Sequence, residues 1–125
     1  IDQGDGLFVV AERAGRVVGD ALVERVRPAF LRHVAAVAVQ VEPDAQALGL
    51  GRLLMERVID WAVAGRTIHR LELYVRSDNV RARRLYESIG FTIESMRTDY
   101  LRLPDGAFVD DVVMVRFLES FDPVA

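Results

Sequence analysis

Two stretches of the chain carry residue types in an order that suits chemistry. The first is Gln46-Ala47-Leu48-Gly49-Leu50-Gly51-Arg52, where an apolar run gives way to helical spacing. A helix start carries N–H groups without an intrahelical partner and a partial positive charge, and two glycines let an anion come close to the backbone. A diphosphate suits such a turn. Tight packing of a helix on the preceding strand asks for glycine at the same places, and the turn alone does not choose between the two. The second stretch is Asp78 to Phe91, in which Asn79 and Tyr86 fall on one side of a helix, two turns apart. Together they could line a groove. Singly, Asn79 reads as a helix N-cap and Tyr86 as a half-buried aromatic anchor.

Composition limits what else the chain can do. Its 125 residues, 51% hydrophobic and 28% charged, fit a single domain, expected over 1–125, with one core. No apolar run approaches the roughly 20 residues that span a bilayer, so no membrane partner is expected. The absence of Cys removes disulfides, thiolate nucleophiles and cysteine zinc sites, and His33 and His69 are too few for a metal site, so no metal is expected. A cytoplasmic location is the default for such a chain. With 19 acidic and 16 basic residues the net charge is −3, and nothing draws the whole chain to nucleic acid or anionic lipid. Every basic residue is Arg, which excludes a Schiff-base lysine and a phosphate-loop lysine. The chain opens on Ile1 instead of Met, as expected of a processed or partial product.

The elements that must position these residues follow from periodicity. Leu7–Ala11 and Val17–Val26 flank Arg13-Ala14-Gly15-Arg16 and predict an antiparallel hairpin. After a loop around Pro28, His33–Val41 is apolar at nearly every position, which predicts a central strand covered on both faces. Beyond Pro43, the spacing of Leu50, Leu53, Leu54, Arg57, Val58, Trp61 and Ala62 predicts a helix over about 46–64 that stops at Gly65, with Trp61 in its core stripe. Leu71, Leu73 and Val75 alternate with Glu72 and Tyr74 as a strand, and a second helix runs from near Asn79 to Ile89, closed by Gly90. A strand–helix–strand unit implies parallel strands and a right-handed crossover. Phe91–Leu103 and Phe108–Leu118 around Pro104-Asp105-Gly106 read as a long antiparallel hairpin. The sum is an α/β (α+β) domain with a mixed sheet, two main helices and a C-terminal hairpin.

The combination of Gln46-x-x-Gly49-x-Gly51 with Asn79 and Leu85-Tyr86-Glu87-Ser88-Ile89-Gly90-Phe91 resembles the GNAT superfamily of acyl-CoA-dependent N-acetyltransferases. The hairpin with Asp105-Gly106-Ala107-Phe108-Val109-Asp110 looks most like the branch that acetylates bacterial amino acids, polyamines and ribosomal proteins. The resemblance covers about residues 7–118. It implies acetyl-CoA as co-substrate, with its pyrophosphate on Gln46, Ala47, Leu48, Gly49, Leu50, Gly51 and Arg52. It also implies that the pantetheine arm pairs with the backbone of Val39, Gln40 and Val41. Asn79 would hydrogen-bond the pantetheine or a nearby water, and Tyr86 would protonate the leaving thiolate. The implied reaction is direct attack of a neutral amine on the thioester through a tetrahedral intermediate, steadied by a backbone N–H near Val39.

Two departures from the family pattern bear on the acceptor side. Relatives often place a carboxylate on the central strand, but Val34-Ala35-Ala36-Val37-Ala38 has none. Glu24, His33 or a water relay are the open choices for the base, an unperturbed His titrating near pH ~6.5. Family members generally also have a strand and one or two helices before the segment that starts at Leu7, and this chain begins without them. Arg81, Arg83 and Arg84 read either as attraction for the adenosine phosphates or as a solvated face in which Arg83 pairs with Glu87. Glu72 and Tyr74 face either an acceptor cleft or solvent. The expected function is acetylation of a primary amine of a small molecule, an amino acid first, with a protein N-terminus or polyamine as alternative acceptor. A catalytically weak acyl-CoA-binding module is the alternative from another class. The terminal hairpin leaves edges that a second copy could cover as a homodimer.

Overall fold

The structure is a computed structural model that describes residues 5–26 and 29–124, so the loop expected around Pro28 lies outside the described residues. Its strands are β1 (Gly6–Arg13), β2 (Arg16–Arg25), β3 (Val34–Val41), β4 (Arg70–Arg76), β5 (Thr92–Arg102) and β6 (Phe108–Phe117). The helices are α1 (Leu50–Gly65) and α2 (Val80–Ser88), with 3-10 turns at Ala29–Leu31 and Pro43–Leu48. The hydrogen-bonded strand order is β1-β2-β3-β4-β6-β5, a mixed sheet. The described residues form two compact units, one running to Leu71 with Leu118 onward, the other spanning Glu72–Phe117.

In the first unit the predicted hairpin is present. Ala14 and Gly15 take φ of 53° and 77°, both left-handed, as a two-residue hairpin turn between right-twisted strands requires. β2 then pairs antiparallel with β3 from Gly19↔Val41 to Arg25↔Ala35. The N–H groups of His69 and Arg70 both donate to the His33 carbonyl, at 2.8 and 3.1 Å. The start of β4 therefore lies beside the start of β3, so the two run parallel, as a crossover through α1 demands. Val34, Ala35 and Val37 of β3 are buried, but Ala38 and Gln40 are exposed. The expected cover on both faces thus holds for the first half of the strand only.

α1 corrects one expectation and meets another. It begins at Leu50, not near Gln46, because Gly49 at φ 75° separates the 3-10 turn from the helix. It ends at Gly65, where the sequence places its stop, and Arg66 follows in a left-handed conformation (φ 60°). The Asp122 N–H donates to the Arg66 carbonyl at 2.9 Å, and Arg66 Nη2 to Asp122 Oδ2 at 3.4 Å, so a partner on the final segment takes over what a glycine would ease. The buried stripe is Leu54, Met55, Val58, Ile59 and Ala62, against β1, β2 and β3, while Leu53 is exposed and Trp61 half-buried. Each large apolar side chain buried there contributes about 1.5–3 kcal/mol.

In the second unit Leu73 and Val75 of β4 and Val112–Val115 of β6 form the buried layer, with Tyr86, Ile89 and Phe91 at the end of α2. Ser77 N–H donates to the Asp110 carbonyl at 2.9 Å, which sets the end of β4 beside the start of β6, antiparallel. The terminal hairpin is as predicted, with Gly106 at φ 92° and Ala107 N–H donating to Asp105 Oδ1 at 2.9 Å. Its register is broken after Arg97↔Asp111 and resumes at Leu101↔Val109. Thr98, Asp99 and Tyr100 thus stand against Asp110 alone, with Asp99 at φ 52° and its N–H donating to Asp110 Oδ1 at 2.8 Å.

Candidate active site

The predicted anion turn lies in the first unit. Gly49 serves as the N-cap of α1 with no side-chain cap hydrogen bond. Leu53 N–H reaches back to the Gly49 carbonyl at 3.3 Å. In an α-helix the N–H groups before that bond, here those of Leu50 and Gly51 among others, have no acceptor inside the helix. A Cβ added at Gly49 would meet nothing within 4 Å, so the space outside the turn is open. Arg52 sits 3.9 Å from Glu56 one turn on, a surface pair of small worth.

Gln46 has a local task that its sequence position did not reveal. Its Nε2 donates to the Val41 carbonyl at 3.1 Å, tying the 3-10 turn to the end of β3. Val39, Gln40 and Val41 pair along one edge with Ala21, Asp20 and Gly19 of β2. Gly19, not singled out from the sequence, decides how closely these parts pack. A Cβ there would lie 3.0 Å from the Gln40 carbonyl oxygen and 3.2 Å from Leu54 Cδ1. The available signal was a glycine inside an alternating strand. The candidate bases are also in this unit: Glu24 is exposed on β2 opposite Ala36, and His33 is exposed just before β3, its ring 6.4 Å from that of His69.

The second unit holds Asn79 and Tyr86. Asn79 Oδ1 accepts from Ala82 N–H at 3.2 Å, so the side chain is the N-cap of α2. Its amide NH2 is the end of the group that the cap does not use. Tyr86 is 8% exposed, its ring edge-on to Phe91 at 6.4 Å. Burial pushes its phenol above the ordinary range, which keeps the proton on the oxygen at neutral pH. Arg83 Nη1 donates to the Ser77 carbonyl at 3.0 Å, and among the described residues Glu87 is not its partner, contrary to the expected helix pair. Arg81 and Arg84 are exposed on the same helix. Among the described residues no group of three potential metal ligands occurs, and no helix is long and apolar enough to cross a membrane.

Comparison with known proteins joins these observations. Mycothiol acetyltransferase of Beutenbergia cavernae is 47% identical over 60 residues, 48% of this chain and 20% of the relative. The ribosomal protein bS18-alanine N-acetyltransferase of Escherichia coli K12 is 43% identical over 68 residues, 54% of this chain and 45% of the relative. The chain thus spans less than half the length of these two relatives. A solved Salmonella typhimurium structure, of an acetyltransferase with its cofactor acetyl-CoA, matches with a TM-score of 0.80 and 30% identity, over 90% of this chain and 64% of its own. The profile described as the acetyltransferase (GNAT) family matches residues 1–91, which include the Gly49 turn, Asn79 and Tyr86. The chain belongs to the GNAT acetyltransferase family.

Proposed function

We propose that this chain, acting as one domain, transfers the acetyl group of acetyl-CoA to the primary amine of a small molecule, an amino acid being the first candidate. The observation that carries the reading is the start of α1, uncapped by any side chain among the described residues and open in front of Gly49. Those features fit a diphosphate, whose oxygens would accept from N–H groups at the helix start such as those of Leu50 and Gly51, with Arg52 beside them. Ala47 and Leu48 lead into that turn, and Gln46 holds it to β3. The backbone of Val39, Gln40 and Val41 would pair with the pantetheine, and the Asn79 NH2 would donate to it.

When bound, acetyl-CoA supplies an activated acyl carbon, so that a C–N bond forms as the C–S bond breaks. The chain has to move two protons. Tyr86 holds the one that the departing sulfur needs, and burial keeps it there at neutral pH. The other must leave the attacking amine. Glu24 and His33 are both exposed, so either takes that proton most simply through water. The exposure of both bases is also what favours the second reading, a module that binds acyl-CoA and turns it over poorly. The relatives are named for mycothiol, a ribosomal-protein alanine and spermidine, so a protein N-terminus or a polyamine stays the alternative acceptor.

Calorimetric titration of acetyl-CoA, with adenosine diphosphate and pantetheine as separate controls, tests the reading. Binding that needs both halves of the molecule, followed by acetylation of an amine, supports it. No heat with acetyl-CoA overturns it. Binding without turnover on any amine selects the module.

A further inference from the structure

The second unit contains a built polar cluster around Arg97. Arg97 stands opposite Asp111 in the β5–β6 register, and Asp111 is only 3% exposed. Arg97 Nε donates to Asp111 Oδ1 at 2.7 Å, and Arg97 Nη2 donates to Asp111 Oδ2. The same guanidinium lies against two rings, its central carbon 3.7 Å from the Tyr100 centroid and 4.5 Å from that of Tyr74. An unbroken strand would send Arg97 and Tyr100 to opposite faces, because they are an odd number of residues apart. The bulge at Thr98–Tyr100, with its left-handed Asp99, resets that parity and brings Tyr100 back onto Arg97. A non-glycine residue held left-handed carries a conformational cost, and here its effect is to aim one side chain.

A guanidinium has two forks, one between Nε and an Nη and one between the two Nη atoms. Asp111 fills the first. The second has no partner among the described residues, and the Arg97 side chain is 31% exposed. Tyr74 and Tyr100, on either hand, are 48% and 57% exposed. The neighbouring carboxylates are engaged elsewhere: Glu72 Oε1 accepts from the Tyr74 hydroxyl at 2.9 Å, and Asp110 Oδ1 from Asp99 N–H. A planar cation oriented by a buried carboxylate and bordered by phenols is preorganised for a planar anion. Because Asp111 already offsets its charge, the outer fork suits a monoanionic carboxylate better than a dianionic phosphate.

We propose that Arg97 reads the acceptor: its outer fork, beside Tyr74 and Tyr100, binds the carboxylate of the amine substrate. The inference rests on the acetyl-transfer reading and narrows the acceptor to amines that carry a free carboxylate, amino acids above all, and excludes polyamines. The first test needs no variant. Free amino acids are compared with their own amides and methyl esters, with spermidine alongside. The free acids are expected to have a kcat/KM roughly tenfold or more above the neutral derivatives, the worth of a charge-assisted fork. Equal values, or preference for spermidine, overturn the proposal. Arg97→Lys keeps a charge for Asp111 but loses the fork, so KM for the free acid should rise while that for the amide stays. Should Lys disturb folding, the double replacement Arg97→Met with Asp111→Leu removes the buried charges together and should abolish the preference in a chain whose melting is checked first. Preference that survives both changes overturns the proposal. Loss of acetyl-CoA binding in the parent chain would overturn the underlying reading and this one with it. Binding of acetyl-CoA with no acceptor used would overturn the acceptor assignment.

Discussion

α1 and α2 begin in opposite ways. Asn79 closes α2 with its own side chain, its Oδ1 on Ala82 N–H, whereas α1 is entered through a left-handed glycine and has no side-chain cap. A capping side chain is worth about 1 kcal/mol over Ala but only a few tenths over Gly, so α1 forgoes little by starting at Gly49. The physics at the two helix starts is the same: unpaired N–H groups with a partial positive charge. What differs is who satisfies them. The protein completes α2 itself, and the proposed function leaves α1 to be completed by the phosphates of a ligand.

Several substitutions break or sharpen that contrast. The largest effect is expected from Gly49→Asp, which sets a carboxylate at the start of α1 and makes it resemble α2. Acetyl-CoA binding should fall beyond calorimetric detection while melting shows the fold retained; unchanged binding would mean that the open start is only a route into the helix. Next, Tyr86→Phe removes one oxygen from the second unit and leaves the first alone. Turnover should drop about 10²–10³-fold, with the acetyl-CoA dissociation constant nearly unchanged. A mutant as fast as the parent would take Tyr86 out of the acid role. Asn79→Ala should cost about 1 kcal/mol of stability, read by denaturant titration, and Asn79→Asp should restore it because Asp caps as well. If the Asn79 NH2 also serves the pantetheine, acetyl-CoA affinity will not return with the stability. The smallest effect is in pH dependence. Burial raises the Tyr86 phenol, so the stability from its neutral form is whole below the ordinary phenol value of ~10 and is lost as pH climbs through the raised folded-state value. Parent and Tyr86→Phe melting curves should therefore part only on the alkaline side, and the parent's turnover should persist past pH ~10 if the fold does.

Local signals read most of this fold. The Ala14-Gly15 turn, the alternation of Leu71, Leu73 and Val75, and Gly90 after α2 each announced an element that is present. The start of α1 was misplaced because Pro43–Leu48 is helical in the tighter 3-10 sense, and periodicity alone does not distinguish a 3-10 turn from the first turn of an α-helix. Gly65 is the last helical residue, as read, but the left-handed turn falls on Arg66, whose carbonyl accepts from Asp122 N–H far along the chain. For the proposed site, the local roles of Gly49, Asn79 and Tyr86 were legible because each meets a backbone or burial demand. Arg97 and Asp111 were not. Their pairing depends on a broken register, and no period-two reading carries across a bulge.

That bulge has a consequence for the molecule in solution. Among the described residues β5 is the outermost strand of the sheet, eleven residues long, with Ile93 and Met96 about half exposed. A straight edge of that length and character is a template on which further chains can stack into fibrils. With Asp99 turned left-handed in its second half, the strand cannot present an unbroken row of amides and carbonyls. A bulge in such a position works against the strand-to-strand stacking that a straight edge invites.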